Sequence, residues 1–426
     1  MYVLADYVKY RREGFGGIVL DLPSKTTRFY NVAAAQLLEA ASETVSQREL
    51  NAFRQGDHQP RGQFLQELLS LKLLRSVSRR TTSLAPMYFT DVASFPESHL
   101  FAPLGVELEI TLKCYRKCVY CCYESEPLVN TSGELTTAQW CSTLLRLRDN
   151  GVFYVRFTGG DPFVRDDFLE ILRFADDLGL IVSVGSDLTI LEEEHVTALA
   201  ECTNLLMVQT TLDGATERSA DALRGPGNWR KVVRGLRMLA EQGVPVVVGT
   251  VLHRGNIGEI GEIAKLVANC GATGYHLAPL YSAGRGRELE HLIPTNADLM
   301  IANQAFREVI EAGVVAAADP AWTDVVKGLE AAELDHAWDD QPYLVRSPDR
   351  LLRIDPWGRC YSSIQVKEVV GDAVYVGNML ENSLHDIWHN APLLSAMRSF
   401  ETSSTIFGEV VDIRRFAVRL KEAANG

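Results

Sequence analysis

The sequence predicts an α/β protein built on a partial (β/α)6 barrel, with a winged-helix-like α+β domain before it and a smaller cap after it. Three observations predict this. From Val106 onward, β-rich apolar runs alternate with amphipathic stretches of helical period, the pattern of a parallel sheet with crossover helices. The first 77 residues read instead as three short extended runs followed by three helical patterns. Three cysteines also gather on one loop just past the first barrel strand, at the sheet end where barrel chemistry is placed. The implied boundaries are 1–77, a linker at 78–103, the barrel at 104–315 and a C-terminal domain at 316–426.

In the first domain the extended runs are YVKYRRE, GGIVLDL and TRFYNV, separated by Gly and Pro-Ser-Lys turn chemistry. The helical patterns are AAAQLLEAAS, QRELNAFR and RGQFLQELLSLKLL. Helix-turn-helix proteins that read DNA share this order. The third helix, however, carries Arg61 among mostly Gln, Leu and Glu, poor material for phosphate contacts. Ser78 to Pro103 is rich in Ser, Thr, Arg and Pro with few apolar repeats, as expected of a linker.

Six barrel strands are expected at VELEITL, VFYVRFT, LIVSVGS, LLMVQTT, PVVVGTVL and GYHLAPL. Between them lie helical stretches such as AQWCSTLLRLRDNG, RDDFLEILRFADDLG and NWRKVVRGLRMLAEQG, several closed by a Gly suited to the helix C-terminus.

The stretch Glu107 to Cys122 organises the rest. Cys114, Cys118 and Cys121 have C-x3-C-x2-C spacing, and three thiolates on one loop can hold three irons of a cubane cluster while leaving the fourth iron open. A zinc site closes with four ligands in paired clusters, and no second pair or nearby histidine follows here. Here the chain resembles the radical S-adenosylmethionine (SAM) enzymes, whose signature is this spacing with an aromatic residue, here Tyr120, before the last cysteine. The resemblance implies one 4Fe-4S cluster whose open iron chelates SAM, and an electron donor such as flavodoxin or ferredoxin. Cys122 lies outside the spacing and reads as a small packing residue.

The second strand runs into Thr158-Gly159-Gly160-Asp161-Pro162, where paired glycines permit close backbone approach and the carboxylate can accept from an ammonium group. This is similar to the family's GGEP motif, which implies that Gly159, Gly160 and Asp161 position the SAM amine, with Asp replacing the usual Glu. Ser186 and Asp187 resemble the ribose-contact region, and Thr211-Leu212-Asp213-Gly214 resembles the SLDG segment, so Ser186 and Thr211 are the next cofactor candidates. His253, Arg254 and Asn256 follow the fifth strand, where Arg254 can pair with the SAM carboxylate. For each of these a loop or capping role is the alternative. Gly284-Arg285-Gly286 is similar to a segment of peptide-modifying members and reads as a substrate-facing loop or a solvated turn.

The end of the chain, RLLRIDPWGRCYSSIQ and YVGNMLENSLHDIWHNAPLLSAMR, resembles the SPASM extension that binds auxiliary clusters. Only Cys360 remains after Cys270, with Ser362 and Ser363 near the expected ligand place, so the cap is expected to keep the fold without the clusters. The front domain resembles the PqqD-like RiPP recognition element, through GGIVLDLP, FYNVAAAQLLEA and FLQELLSLKLL. There a precursor's leader adds as a strand, and transferred here the site is the edge Thr27 to Val32 with the helix Arg61 to Leu73.

The resemblance implies reductive cleavage of SAM and hydrogen abstraction from a ribosomally made precursor peptide, ending in epimerisation or a C–C or C–X crosslink. Without auxiliary clusters, epimerisation with Cys360 as hydrogen donor is one expected outcome, with Cys122, Cys202 or Cys270 as alternatives. Maturation of a small peptide-derived or haem-type cofactor, or non-catalytic peptide or DNA binding, are the other readings. Composition restricts these further. The 426 residues, 46% apolar and 23% charged, are those of a soluble protein with two or three cores. No long apolar run or signal peptide appears, and the eight cysteines form no secreted disulfide pattern, so no membrane partner and a cytoplasmic location are expected. A net charge of -13 argues against nucleic acid.

Overall fold

In the computed structural model the described residues are 1–46, 48, 61–88, 100–317, 351–398 and 421; the side chains of 61–65, 365 and 369 are not among them. They divide into two compact units, one of residues 1–104 with 149–153, the other of 105–148, 154–317 and 351–398. The helix expected at QRELNAFR, part of the linker, and much of the segment 316–426 lie outside the described residues.

In the first unit the three extended runs are β2 (Val8–Glu13), β3 (Gly16–Asp21) and β4 (Thr26–Asn31), joined as antiparallel hairpins. The sequence reading missed three short strands. β1 (Tyr2–Leu4) pairs with β5 (Leu74–Ser76), and β6 (Met87–Tyr88) adds parallel to β2. The sheet order β4-β3-β2-β6 leaves β4 at an edge. Asn31 ends β4 and starts the next helix, Val32–Ala40, its side chain accepting from the Ala34 N–H. Leu37 and Leu38 of that helix pack with Tyr10, Val19, Leu68 and Leu74 in one core. A fully buried ion pair joins Arg11 to Glu13 at 2.7 Å, and Arg11 also donates to the carbonyls of Ala102 and Gly151. The end of the expected linker is thus tied into this unit, where removing either charge would leave the other buried and unpaired.

In the second unit the six expected strands are β7 (Gly105–Thr111), β8 (Tyr154–Gly159), β9 (Ile181–Gly185), β10 (Leu205–Thr211), β11 (Val246–Leu252) and β12 (Gly274–Pro279). They pair in parallel in sequence order, and β7 and β12 do not pair with each other, so the run is not closed. Crossover helices include Thr137–Asp149, Phe168–Asp177, Glu193–Glu201, Asn228–Glu241 and Ile260–Asn269. Their buried faces, for example Trp140, Leu144 and Leu147 or Val232, Leu236 and Leu239, have the spacing of a helix lying on a sheet.

The C-terminal segment is continuous with this sheet. β13 (Leu351–Ile354) pairs in parallel with β7, and β14 (Arg359–Tyr361) and β15 (Gly377–Asn378) follow antiparallel. Asp355-Pro356-Trp357-Gly358 makes the β13–β14 turn, with Gly358 at φ +82° and Asp355 accepting from the Trp357 and Arg359 N–H groups. A separate terminal domain was expected; a parallel strand that returns after a long excursion leaves no local signal of its partner. Among the described residues no helix is long and apolar enough to cross a membrane.

Candidate active site

The geometry begins with β7, where side chains alternate between faces. Val106, Leu108 and Ile110 share one face and Glu107, Glu109 and Thr111 the other, all of them buried. The polar set meets Arg156 on β8 and Arg353 on β13, each directly opposite Glu107, while Ser183 on β9 is opposite Arg156 and Tyr361 on β14 is opposite Arg353. Arg353 and Tyr123 both donate to Glu107, and Tyr361 donates to Glu109. Burial pushes the Glu109 carboxyl up to about 8, against the opposing pull of Arg353, whereas Glu107 is held below the usual carboxylate range by Arg353 and Arg156 in spite of its burial.

The cysteine loop leaves the C-terminal end of β7. Cys114, Cys118 and Cys121 are free thiols, half-buried, with the Cys121 N–H on the Cys118 carbonyl and the Cys114 N–H on that of Glu126. Two glycine-bearing segments clamp the loop. Gly160 donates to the Thr111 carbonyl and Asp161 to that of Lys113, and a Cβ at Gly160 would lie 2.0 Å from the Lys113 carbonyl oxygen. On the other side Arg285 donates to the carbonyls of Cys118 and Ser125, each at 2.8 Å, and its N–H to that of Cys121. Gly284, at φ +52°, lies where a Cβ would strike the Cys121 and Cys122 carbonyl oxygens. The Gly-Arg-Gly segment therefore faces the loop's backbone, where a substrate loop or a solvated turn was expected.

The other anticipated residues fall into two networks. Asp161 is fully buried and accepts from the Phe163 N–H, the Ser186 hydroxyl at 2.7 Å and the Asp187 N–H, so its carboxylate joins the ends of β8 and β9. Burial and the neighbouring Asp187 raise its pKa well above the usual carboxylate range. Tyr120 donates to Asp213 and accepts from Arg224, itself ion-paired to Asp213 at 3.0 Å, and Arg224 also reaches the Thr211 carbonyl. Asn256 donates to the Asp213 and Val251 carbonyls, a capping role, while Arg254 is half-exposed and ion-paired to Asp298.

Cys360 is placed apart. It adjoins Tyr361 on β14, so its fully buried side chain points to the opposite face from the polar set. Its Sγ is 3.7 Å from the Gly358 carbonyl oxygen, and burial followed by the charge of Asp355 raises its pKa. Its neighbours give it a packing role and do not bring it to the face expected of a hydrogen donor. Cys122, read as packing, is the thiol on the polar side, with Tyr281 as hydrogen-bond partner and Arg353 and Glu109 nearby.

Arg224, Arg156 and the Glu107–Glu109 pair were not singled out from sequence, and Arg285 was noted for a different role. The available signal was the alternation of two carboxylates through an otherwise apolar strand, legible as a polar inner face.

Residues 108–267 match the Radical SAM superfamily. Mycofactocin maturase MftC of Mycobacterium ulcerans is 30% identical over 311 residues, 71% of this chain and 79% of that protein. The chain belongs to the radical SAM superfamily. This radical SAM chain is also 28% identical over 312 residues to the PqqA peptide cyclase of Methylocella silvestris, covering 70% of this chain and 77% of that protein. Among solved structures, Streptococcus suis SuiB bound to precursor peptide SuiA aligns with a TM-score of 0.67 and 16% identity over 95% of this chain and 92% of SuiB. That likeness shows the same fold.

As a radical SAM protein the chain is an enzyme, with the family's 4Fe-4S cluster and SAM as cofactors. The donor set fits that cluster. Three free thiols share one clamped loop, and the charges of Cys114 and Cys118, like those of Cys118 and Cys121, act on one another. Among the described residues no three His, Cys, Asp or Glu side chains converge as a single metal ion requires. A tetrahedral zinc would draw sulfurs to about 3.8 Å of each other, from Zn–S bonds of about 2.3 Å. Burial raises Cys114, with Asp187 and Asp161 adding to it, and burial raises Cys118 against the pull of Arg224, so these two thiols hold their protons until a metal displaces them.

Proposed function

We propose that this enzyme modifies a ribosomally made precursor peptide, with Cys114, Cys118 and Cys121 holding three irons of its one cluster. The observation that carries the reading is the three-thiol loop clamped by Gly160 and Arg285 at the mouth of a sheet whose inner face is polar. It is supported by relatives named as a peptide cyclase and a mycofactocin maturase. When bound, the cluster and SAM supply one-electron chemistry that removes hydrogen from an unactivated carbon. Tyr120, Gly159, Gly160, Asp161, Ser186, Thr211 and Arg254 are proposed to shape the SAM site. In this reading Gly160, Asp161 and Ser186 hold the strand ends, and the half-buried Thr211 and half-exposed Arg254 are the proposed ligand contacts.

The first unit is proposed to be a PqqD-like leader-binding element. Among the described strands β4 is an edge of its sheet, and the stretch Thr27 to Val32 is proposed to take the leader as an added strand, with the helix Arg61–Ser70 following in the same unit. The segment β13 to β15 with the helices Leu384–Asn390 and Pro392–Arg398 is proposed as a SPASM-like extension without auxiliary clusters. An external flavodoxin or ferredoxin, a cytoplasmic location and the absence of a nucleic-acid partner complete the reading.

The test is anaerobic reconstitution with iron and sulfide, a strong reductant, SAM and a precursor encoded beside this gene. Formation of 5'-deoxyadenosine and a mass change of the precursor are expected. SAM left intact by a fully loaded protein would refute the enzymatic assignment of this loop.

A further inference from the structure

The polar face that holds Glu107 continues across β8 to β12 and carries four buried atoms that have no hydrogen-bond partner among the described residues. These are Arg156 Nε, Ser183 Oγ, Gln209 Oε1 and His276 Nδ1. Ser183 and His276 are 1% and 5% exposed, so these groups are shielded from bulk water as well. A buried polar atom with no partner is costly to desolvate, so four on one face call for a ligand.

The four belong together. Ser183 is opposite Arg156 on the neighbouring strand, Gln209 lies 3.3 Å from His276, and Arg156 is close enough to act on the His276 charge. Two glycines keep the space open. A Cβ at Gly185 would sit 3.4 Å from Arg156 Nη2, and one at Gly249 would strike the His276 ring at 2.6 Å.

The chemistry of the set selects the ligand. Arg156 shares Glu107 with Arg353 and stands off at 3.7 Å, and Glu109, raised by burial to about 8, keeps its proton, so one carboxylate serves two guanidiniums. Burial and Arg156 hold His276 down at about 4, which leaves it neutral. With the Gln209 amide donating to Nε2, its proton sits on Nδ1. The face then offers three donors, Arg156 Nε–H, Ser183 O–H and His276 Nδ1–H, beside surplus positive charge. The remaining acceptor, Gln209 Oε1, suits the amide N–H that a peptide residue carries.

We propose that Arg156, Ser183, Gln209 and His276 form a specificity pocket for a carboxylate-bearing residue of the substrate peptide. The inference rests on the peptide-modifying reading above and deepens it, and its test needs no turnover. N-acetylglutamate α-amide carries only a side-chain carboxylate, N-acetylalanine only a terminal one, and N-acetylglutamine α-amide none. Each is titrated by calorimetry into the anaerobic, reconstituted, SAM-loaded protein.

At least one carboxylate probe is expected to bind at least about tenfold more tightly than the glutamine probe, and which one binds identifies the source. Arg156→Gln is expected to weaken it about tenfold or more, and Ser183→Ala, which leaves the Glu107 ion pairs intact, by severalfold. Equal binding of the glutamine probe, no binding of either carboxylate, or full affinity in the Ser183→Ala protein would overturn the proposal. Intact SAM in the turnover assay, by contrast, would count against the proposed activity and leave this titration readable.

Discussion

Arg285 shows how a residue far along the chain governs the loop at its centre. It donates to the carbonyls of Cys118 and Ser125, and hydrogen bonds from a charged donor are worth about 1.5–3 kcal/mol each. Arg285→Ala is therefore expected to leave the fold standing and loosen the loop, so that iron is taken up less completely and lost severalfold faster to a chelator. An unchanged chelation rate would remove Arg285 from this role. Glu109 makes a prediction about pH. Its folded-state pKa is raised to about 8 from an ordinary 4.5, because burial disfavours the charge. Below pH 4.5 both states hold the proton. Between pH 4.5 and 8 the unfolded chain gives it up first, so native stability falls as pH rises through that window, and the loss is constant above it. Glu109→Gln removes the penalty. The melting temperature of the variant relative to the native protein should climb from pH 5 to pH 8.5, whereas parallel profiles would show that Glu109 is ionised in the fold.

At the scale of elements, strands were legible wherever periodicity and length sufficed. LLMVQTT is β10, residue for residue, and the other five barrel runs differ from their strands by a residue or two at the ends. The short strands β1, β5 and β6 carry too few residues for a period to show. The candidate site was legible as far as its loops, since cysteine spacing and Gly-Gly are local. It was illegible where contacts are not local: Arg285 on the cysteine loop, Arg353 on Glu107, and Asp161 on Ser186 each join segments that only the fold brings together. The close approach of Gly160 to the Lys113 carbonyl was illegible for the same reason, and it stands beside the proposed ligand role of the glycine pair. β4 supplies the prediction at this scale. If it receives a leader as an added strand, amide hydrogen exchange upon precursor binding should slow in Thr26–Asn31 and in Arg61–Ser70. Protection confined to the barrel strands would mean that the peptide is held without the first unit.

For the whole molecule the decisive quantity is the number of clusters, because it sets where an electron can go. The described C-terminal segment keeps its hairpin turn, its pairing with β7, a buried Trp388 and a core containing Tyr361, Leu393 and Met397, so it has structural reasons to exist without metal. Its one cysteine, Cys360, is fully buried with its sulfur on the Gly358 carbonyl, and one thiolate does not hold a cubane. The reconstituted protein is accordingly expected to bind about four irons per chain, the content of one cubane. Replacing Cys114, Cys118 and Cys121 together by Ala should bring that number near zero. Cys360→Ala should leave it unchanged, and should also leave the modification rate unchanged, because this thiol faces away from Glu109 and Arg156. A value near eight irons would place a second cluster in the chain. A Cys360→Ala enzyme that cleaves SAM but no longer completes its product would restore this thiol to the chemistry and require the sheet to expose it during turnover.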